Sequence, residues 1–230
     1  MKAVCGCVFL SMLQRITAIE PQQKNPQRVN IYLDGEFAFG LSNILAAWLT
    51  VGQELSDEKV ASLKAEDERE VTYQKALHFL SYRPRSSAEV RQNLVKRGIA
   101  EALVEVTLTR LQNAGLVNDE AFAREWVENR NTFRPSGKPA LRVELRRKGL
   151  SEEIVQSILD TQVDEPVLAL AAARKYARRL SGLEWAEFRQ KLGGFLGRRG
   201  FSYTTLASVV SEVWKESQTA DTGNKSDNED

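Results

Sequence analysis

The chain has 230 residues, 42% hydrophobic and 27% charged, a balance that supports globular cores and excludes a low-complexity or fibrous protein. Its net charge of +1 conceals a segregation: residues 1–70 sum to −3, 71–215 to +8 and 216–230 to −4, so a basic middle lies between acidic ends, as in a module that binds a polyanion or an acidic partner. No apolar run is long enough to span a bilayer, and Cys5, Cys7 and a single histidine supply neither a disulfide framework nor a zinc site.

Residues 1–13 form an apolar run without the small-residue cleavage site of a secretory signal, so a disordered extension and a cytoplasmic location are expected. Residues 14–66 predict a small α+β module. Ile16 to Glu20 alternates apolar and polar residues, and Asp34-Gly35 lies between the β-prone runs Arg28–Leu33 and Glu36–Phe39, the signature of a type I′ hairpin. Ser42 is placed to cap a short helix through Trp48, and Ser56-Asp57-Glu58 opens another with acids at its positive end.

Beyond residue 66 the pattern is helical and repeats. Leu94-Val95-Lys96-Arg97-Gly98-Ile99 returns 51 residues later as Leu145-Arg146-Arg147-Lys148-Gly149-Leu150, and 51 later again as Leu196-Gly197-Arg198-Arg199-Gly200-Phe201. Each copy reads as a helix end: an inward Leu, basic residues opposing the dipole, and a Gly suited to the left-handed conformation past the last turn. Val90, Leu141 and Leu192 keep the register before it, and Val104, Val155 and Leu206 after it.

The punctuation gives three helices per repeat. In the first, Arg83-Pro84-Arg85 breaks a helix, Ser86 with Glu89 forms a capping box, and Gly98 and Gly115 close the next two helices. In the second, Asp119 is the expected cap, Arg134 to Gly137 the break, Pro139 the first turn of the middle helix, and Ser151 the cap of the last. The expected fold is therefore mainly α: three tandem three-helix repeats at 67–117, 118–165 and 166–216, in an elongated, curved array preceded by the β-hairpin module. Residues 217–230, polar and acidic, predict a disordered tail.

Reactive groups do not converge. His78 lies beside Leu77 and Phe79 on a helix and reads as structural. The glycines from Gly193 to Gly200 match no phosphate loop, because the repeat maps Gly193, Gly194 and Gly197 onto helical Arg142, Val143 and Arg146; they predict close helix packing. No catalytic residue, metal or cofactor is expected.

The basic surface is the candidate site. Arg130, Arg134, Lys138, Arg142, Arg146, Arg147 and Lys148 stand against one acid, Glu144. Lys138, Arg142 and Arg146 recur every fourth residue, about 6 Å apart along one helical face, and a one-signed stripe predicts an external anion. Arg174, Arg178 and Arg179 with Lys175 form a second cluster, Arg198 and Arg199 a third, and Lys96 and Arg97 are their counterparts in the first repeat. A sequence-reading helix-turn-helix would carry its charge on the last helix of each trio, whereas those helices hold Glu101, Glu105, Glu152, Glu153 and Asp160.

The Arg83 to Val90 break and cap, the Lys96-Arg97-Gly98 end, Leu116 to Ala123, and Ser136-Gly137 ahead of Leu141 to Gly149 together resemble the bacterial RecX family, over about residues 70–215. The hairpin module is similar to an N-terminal extension of some members. The resemblance implies a cytoplasmic, non-enzymatic inhibitor of the RecA recombinase, a monomer lying on the RecA–DNA filament, touching single- or double-stranded DNA and so regulating recombination, DNA repair and the SOS response. The residues themselves leave two other readings open, a single-stranded DNA-binding module acting by competition and a helical-repeat adaptor for another protein.

Overall fold

The computed structural model describes residues 13–223, with side chains through 219. The expected extension, with Cys5 and Cys7, lies outside the described residues except for Leu13, and so does the tail from 224 onward. The chain divides into two compact units, residues 1–83 with 93–111, and residues 84–92 with 112–230.

In the first unit, β1 (Leu13–Gln22), β2 (Asn25–Leu33), β3 (Glu36–Ser42) and β4 (Glu54–Ser56) form an antiparallel sheet in the order β3-β2-β1-β4. The β2–β3 turn has Asp34 at φ 52° and Gly35 at φ 90°, the two positive values that a type I′ turn requires. Alternate strand residues Ile31, Leu33, Phe39 and Leu41 are buried together with Ile16 and Leu55. The short β4 carries too few residues to show a period, and the sequence did not reveal it. Ser42 precedes α1 (Asn43–Ala46) without a side-chain cap; its N–H donates instead to Asp67 at 2.8 Å.

The helix α2 (Asp57–Leu80) begins as expected, with Ser56 accepting from the Lys59 N–H. It then runs unbroken through the boundary expected at 66/67, so the β module and the first repeat share one helix. Val60 and Leu63 cover the sheet core, while Asp67, 7% exposed, receives Arg28 at 2.6 Å. The first unit also holds most of α4 (Glu101–Asn113), whose Val104, Thr107, Leu108 and Leu111 are buried. Arg110 reaches Glu70 at 2.8 Å and lies 3.6 Å over the Tyr73 ring.

Ser86 and Glu89 form the expected capping box at α3 (Ser87–Lys96). The second unit continues with α5 (Asp119–Phe133), α6 (Lys138–Arg147), α7 (Glu152–Gln162), α8 (Glu165–Ala177), α9 (Trp185–Arg198) and α10 (Tyr203–Gly223). Phe122, Leu141, Leu145, Val155 and Leu159 build one core; Phe188, Leu192, Leu196, Val209 and Val213 build another; Leu168 packs against both. The ends of α3, α6 and α9 are equivalent. Gly98, Gly149 and Gly200 lie at φ 77°, 79° and 71°, and the N–H of Ile99, Leu150 and Phe201 returns to the carbonyl of Leu94, Leu145 and Leu196, each at 3.3 Å. That return is the Schellman closure, and the apolar residue after Gly is thereby folded inward.

A second repeated device joins the domains of this unit. Ser86 Oγ donates to the Lys148 carbonyl at 2.6 Å, and 51 residues on, the Gly137 N–H donates to the Arg199 carbonyl at 3.0 Å. The first residue of α5, Asp119, accepts from the Ser87 N–H at 2.8 Å; the first residue of α8, Glu165, accepts from the Lys138 N–H at 3.1 Å and from the Ser202 N–H at 2.6 Å. Each acid thus supplies an acceptor to the orphan donors at the start of the preceding middle helix. Asp119 is consequently not its own helix's cap. Asn118 is, accepting from the Ala121 N–H.

Two further expectations are corrected. Residues 217–223, expected to be disordered, extend α10, because Val213 and Trp214 anchor its preceding turns and Glu216 is held by Arg174 at 2.5 Å; each added residue of an anchored helix gains a hydrogen bond. Gly193 and Gly197 do not enforce close packing, since an added methyl would meet Leu206 at 3.6 and 3.9 Å, ordinary van der Waals separations. Gly193→Ala is therefore expected to stabilise the fold by about 0.5–1 kcal/mol through helix propensity, measurable as a higher urea midpoint at unchanged slope.

Candidate functional site

The stripe on α6 is one-signed in sequence but not in space. Its counter-charges stand on α7: Lys138 is 3.5 Å from Asp160, Arg142 3.3 Å and Arg146 3.7 Å from Glu152. Arg142 also bonds to Gln156, and Arg146 donates to the Leu150 carbonyl at 3.3 Å. A hydrogen bond from Gln156, helped by the Lys138 ammonium and Arg142, holds the Asp160 carboxyl below its ordinary value against the opposing effect of desolvation. Within the fold these three cations already have counter-charges, and Glu152 is a member of their network.

Arg130 and Lys148 are likewise occupied. Arg130 meets Glu144 at 2.7 Å, Lys148 meets Glu89 at 2.9 Å, and both cationic heads lie 4.9 Å from the Trp126 ring centre. Glu144 also accepts from the Trp126 indole N–H at 2.9 Å. This half-buried cluster fastens α5 to α6. Arg174 is bound by Glu216 and lies 4.0 Å from Glu212, and Arg97, just past the end of α3, donates to Asn93 at 3.1 Å.

What is left is a different set. Lys96, Arg134, Arg147, Lys175, Arg178, Arg179 and Arg198 are not buried, and none has a side-chain partner among the described residues. Arg134, Lys175 and Arg179 stand close to Arg199, which is half-buried, donates to the Pro135 carbonyl at 3.1 Å and lies 4.9 Å from the Phe195 ring centre. Burial, and then the neighbouring Arg134 charge, lower the Arg199 pKa. The Phe195 ring itself is stacked on Tyr176, with centroids 4.1 Å apart and planes 1° from parallel.

His78 bonds to the Tyr82 hydroxyl at 3.1 Å. Among the described residues no group of three His, Cys, Asp or Glu side chains could hold a metal ion, and no helix is long and apolar enough to cross a membrane.

An antiparallel β module followed by three three-helix domains, each middle helix closed by the same glycine device and ending in basic residues, defines a tandem helical-repeat protein. Family models for the regulatory protein RecX match domain by domain: its N-terminal domain at residues 14–56, and its first, second and third three-helix domains at 73–111, 118–159 and 164–210. The chain belongs to the RecX family. Regulatory protein RecX of Bacillus licheniformis is 30% identical over 202 residues, covering 86% of this chain and 77% of that protein, and the Bacillus subtilis protein of the same name is 30% identical with 86% and 76% covered. A crystal structure of regulatory protein RecX matches with a TM-score of 0.68 at 28% identity, covering 85% of this chain and 98% of that one. RecX from Lactobacillus salivarius matches at 0.59 and 25% identity, over 64% and 97%.

Proposed function

We propose that this chain is a non-enzymatic, cytoplasmic modulator of the RecA recombinase that binds the RecA–DNA filament and inhibits it, and so regulates recombination, DNA repair and the SOS response. The observation that carries the reading is the set of cations that the fold leaves without counter-charges, in a chain whose relatives are regulatory proteins. The contact surface accordingly shifts from the α6 stripe to Arg147, Lys175, Arg178, Arg179 and Arg198, with Arg134; Lys96, in the other compact unit, is a separate candidate.

The test is a titration of the protein into RecA on single-stranded DNA, following ATP hydrolysis. Hydrolysis is expected to fall, and Arg147→Glu combined with Arg178→Glu to weaken the inhibition while the melting temperature stays within a degree or two. Removing a cation that meets a phosphate should reduce the salt slope of binding by about 0.7–0.9. Unchanged hydrolysis at saturating protein would rule the proposal out and favour an adaptor for another protein.

A further inference from the structure

We infer that the cleft between the end of α5, the C-terminal half of α8 and the C-terminal half of α9 is a binding site for single-stranded nucleic acid, taking a base on the Phe133 ring and its phosphates on Lys175, Arg179 and Arg199. The cleft has a volume of about 350 Å³, and its lining includes these three cations and three aromatic rings but no acid. On α6 and at Arg174 the fold supplies carboxylates within 4.0 Å of the cations. Here, among the described residues, it supplies none.

The arrangement of the aromatic groups narrows the ligand. Phe133 is the last residue of α5 and is 78% exposed, so a large apolar ring is held in water at the mouth of a cationic cleft. Tyr176 and Phe195 form the stacked floor, and Arg199 lies over Phe195 with its guanidinium fixed by the Pro135 carbonyl. Helix dipoles account for cations at these helix ends at about 0.3–1 kcal/mol each. They do not account for an exposed phenyl ring among them.

An aromatic platform beside a cationic track is the chemistry that receives unstacked bases and their backbone. A duplex keeps its base faces covered and could use only the charges. Arg134 adds a further positive charge beside Arg199, which suits a chain of phosphates more than one compact polyphosphate. An acidic peptide would satisfy the cations and leave the rings unused.

This site rests on the reading that the basic surface of the repeats faces a nucleic-acid filament, but its test needs no recombinase. Fluorescence anisotropy of a labelled oligodeoxythymidine and of a labelled duplex is measured against the full chain, against Phe133→Ala, and against Lys175→Glu with Arg179→Glu. Phe133 is exposed, so its replacement leaves the fold intact, as circular dichroism will verify. Phe133→Ala is expected to weaken the single strand by about tenfold or more and the duplex hardly at all. The double reversal is expected to lower the single-strand salt slope by about 1.4. Equal effects of Phe133→Ala on strand and duplex, full single-strand affinity in both variants, or displacement of the strand by millimolar ATP or by an oligoglutamate as readily as by unlabelled strand would each overturn the proposal. If Phe133→Ala loses the strand but still inhibits RecA hydrolysis, the site stands and recombinase docking lies elsewhere. If the strand binds as expected and hydrolysis is untouched by the unaltered chain, the site stands and the RecA reading falls.

Discussion

Gly137→Ala is expected to lower the melting temperature by about 6–12 °C. A Cβ at this position would fall 2.5 Å from both the Gly200 carbonyl carbon and the Phe201 Cα, and closer still to the Gly200 oxygen. The obstacle is backbone, not a side chain that could rotate away. Moving the two backbone segments apart would also stretch the Gly137 N–H bond to the Arg199 carbonyl, now 3.0 Å. Overpacking of this kind costs about 3 kcal/mol, and each kcal/mol is worth about 2–4 °C in a chain of this size. Gly115→Ala supplies the contrast: at φ 68° it carries left-handed strain but has open space around it, so about 1 kcal/mol is expected. Calorimetry on the two variants decides the matter, and equal shifts would show that α6 and α9 can move apart at little cost.

Glu165→Ala is expected to cost about 3 kcal/mol and to abolish a component of the acid sensitivity of folding. Glu165 is 7% exposed, and its removal leaves the Lys138 and Ser202 N–H groups without their acceptor in a place water reaches poorly. Burial by itself raises the pKa of this carboxyl, but the Ser202 N–H and hydroxyl, then the Lys138 N–H and Thr205, outweigh it and leave the value below the ordinary 4.5. A carboxyl whose folded pKa is depressed contributes stability that is present above its unfolded value and is lost as pH falls through the folded one. The loss is therefore expected from about pH 4.5 downward. Glu165→Gln should be intermediate in stability, since one amide oxygen still accepts while the –NH2 faces a donor, and its urea midpoint should vary less between pH 5 and pH 3 than that of the unaltered chain. An identical pH profile for the two would show that the joint does not depend on this charge.

The helix-end motif was legible because it is local. Gly98, Gly149 and Gly200, the Leu four residues before each, and the apolar residue after each are all decided within six residues of chain, by the φ that Gly alone adopts without cost and by the direction in which the chain then turns. The hairpin at Asp34-Gly35 and the Ser86–Glu89 box are local in the same sense. The continuity of α2 was not, because the sequence from Asp57 to Leu80 is so rich in Glu, Asp and Lys that the apolar period fades where the helix leaves the sheet.

The basic residues were legible as composition, but their counter-charges were not. Along α6 the spacing of Lys138, Arg142 and Arg146 was right, but the deduction that nothing opposes them required knowing what α7 brings alongside. Glu152 and Asp160 were read as marks against a DNA-reading helix, whereas their position makes them the partners of the preceding one. Asp119 was visible only as a helix cap and Glu165 carried no signal; the donors they accept from lie 32 and 27 residues away in the preceding domain.

The order of amino acids was enough to set the three-domain repeat, the ends of its middle helices, the β hairpin and the basic middle of the chain, because each depends on backbone preference, short-range periodicity or simple sums of charge. Which of those charges remain available was settled by packing alone. Coulombic pairing depends on distances of 3–4 Å between helices, and the packing that sets them neutralises the α6 stripe while leaving Arg147, Lys175, Arg178 and Arg179 to water and Phe133 exposed at the mouth of an acid-free cleft.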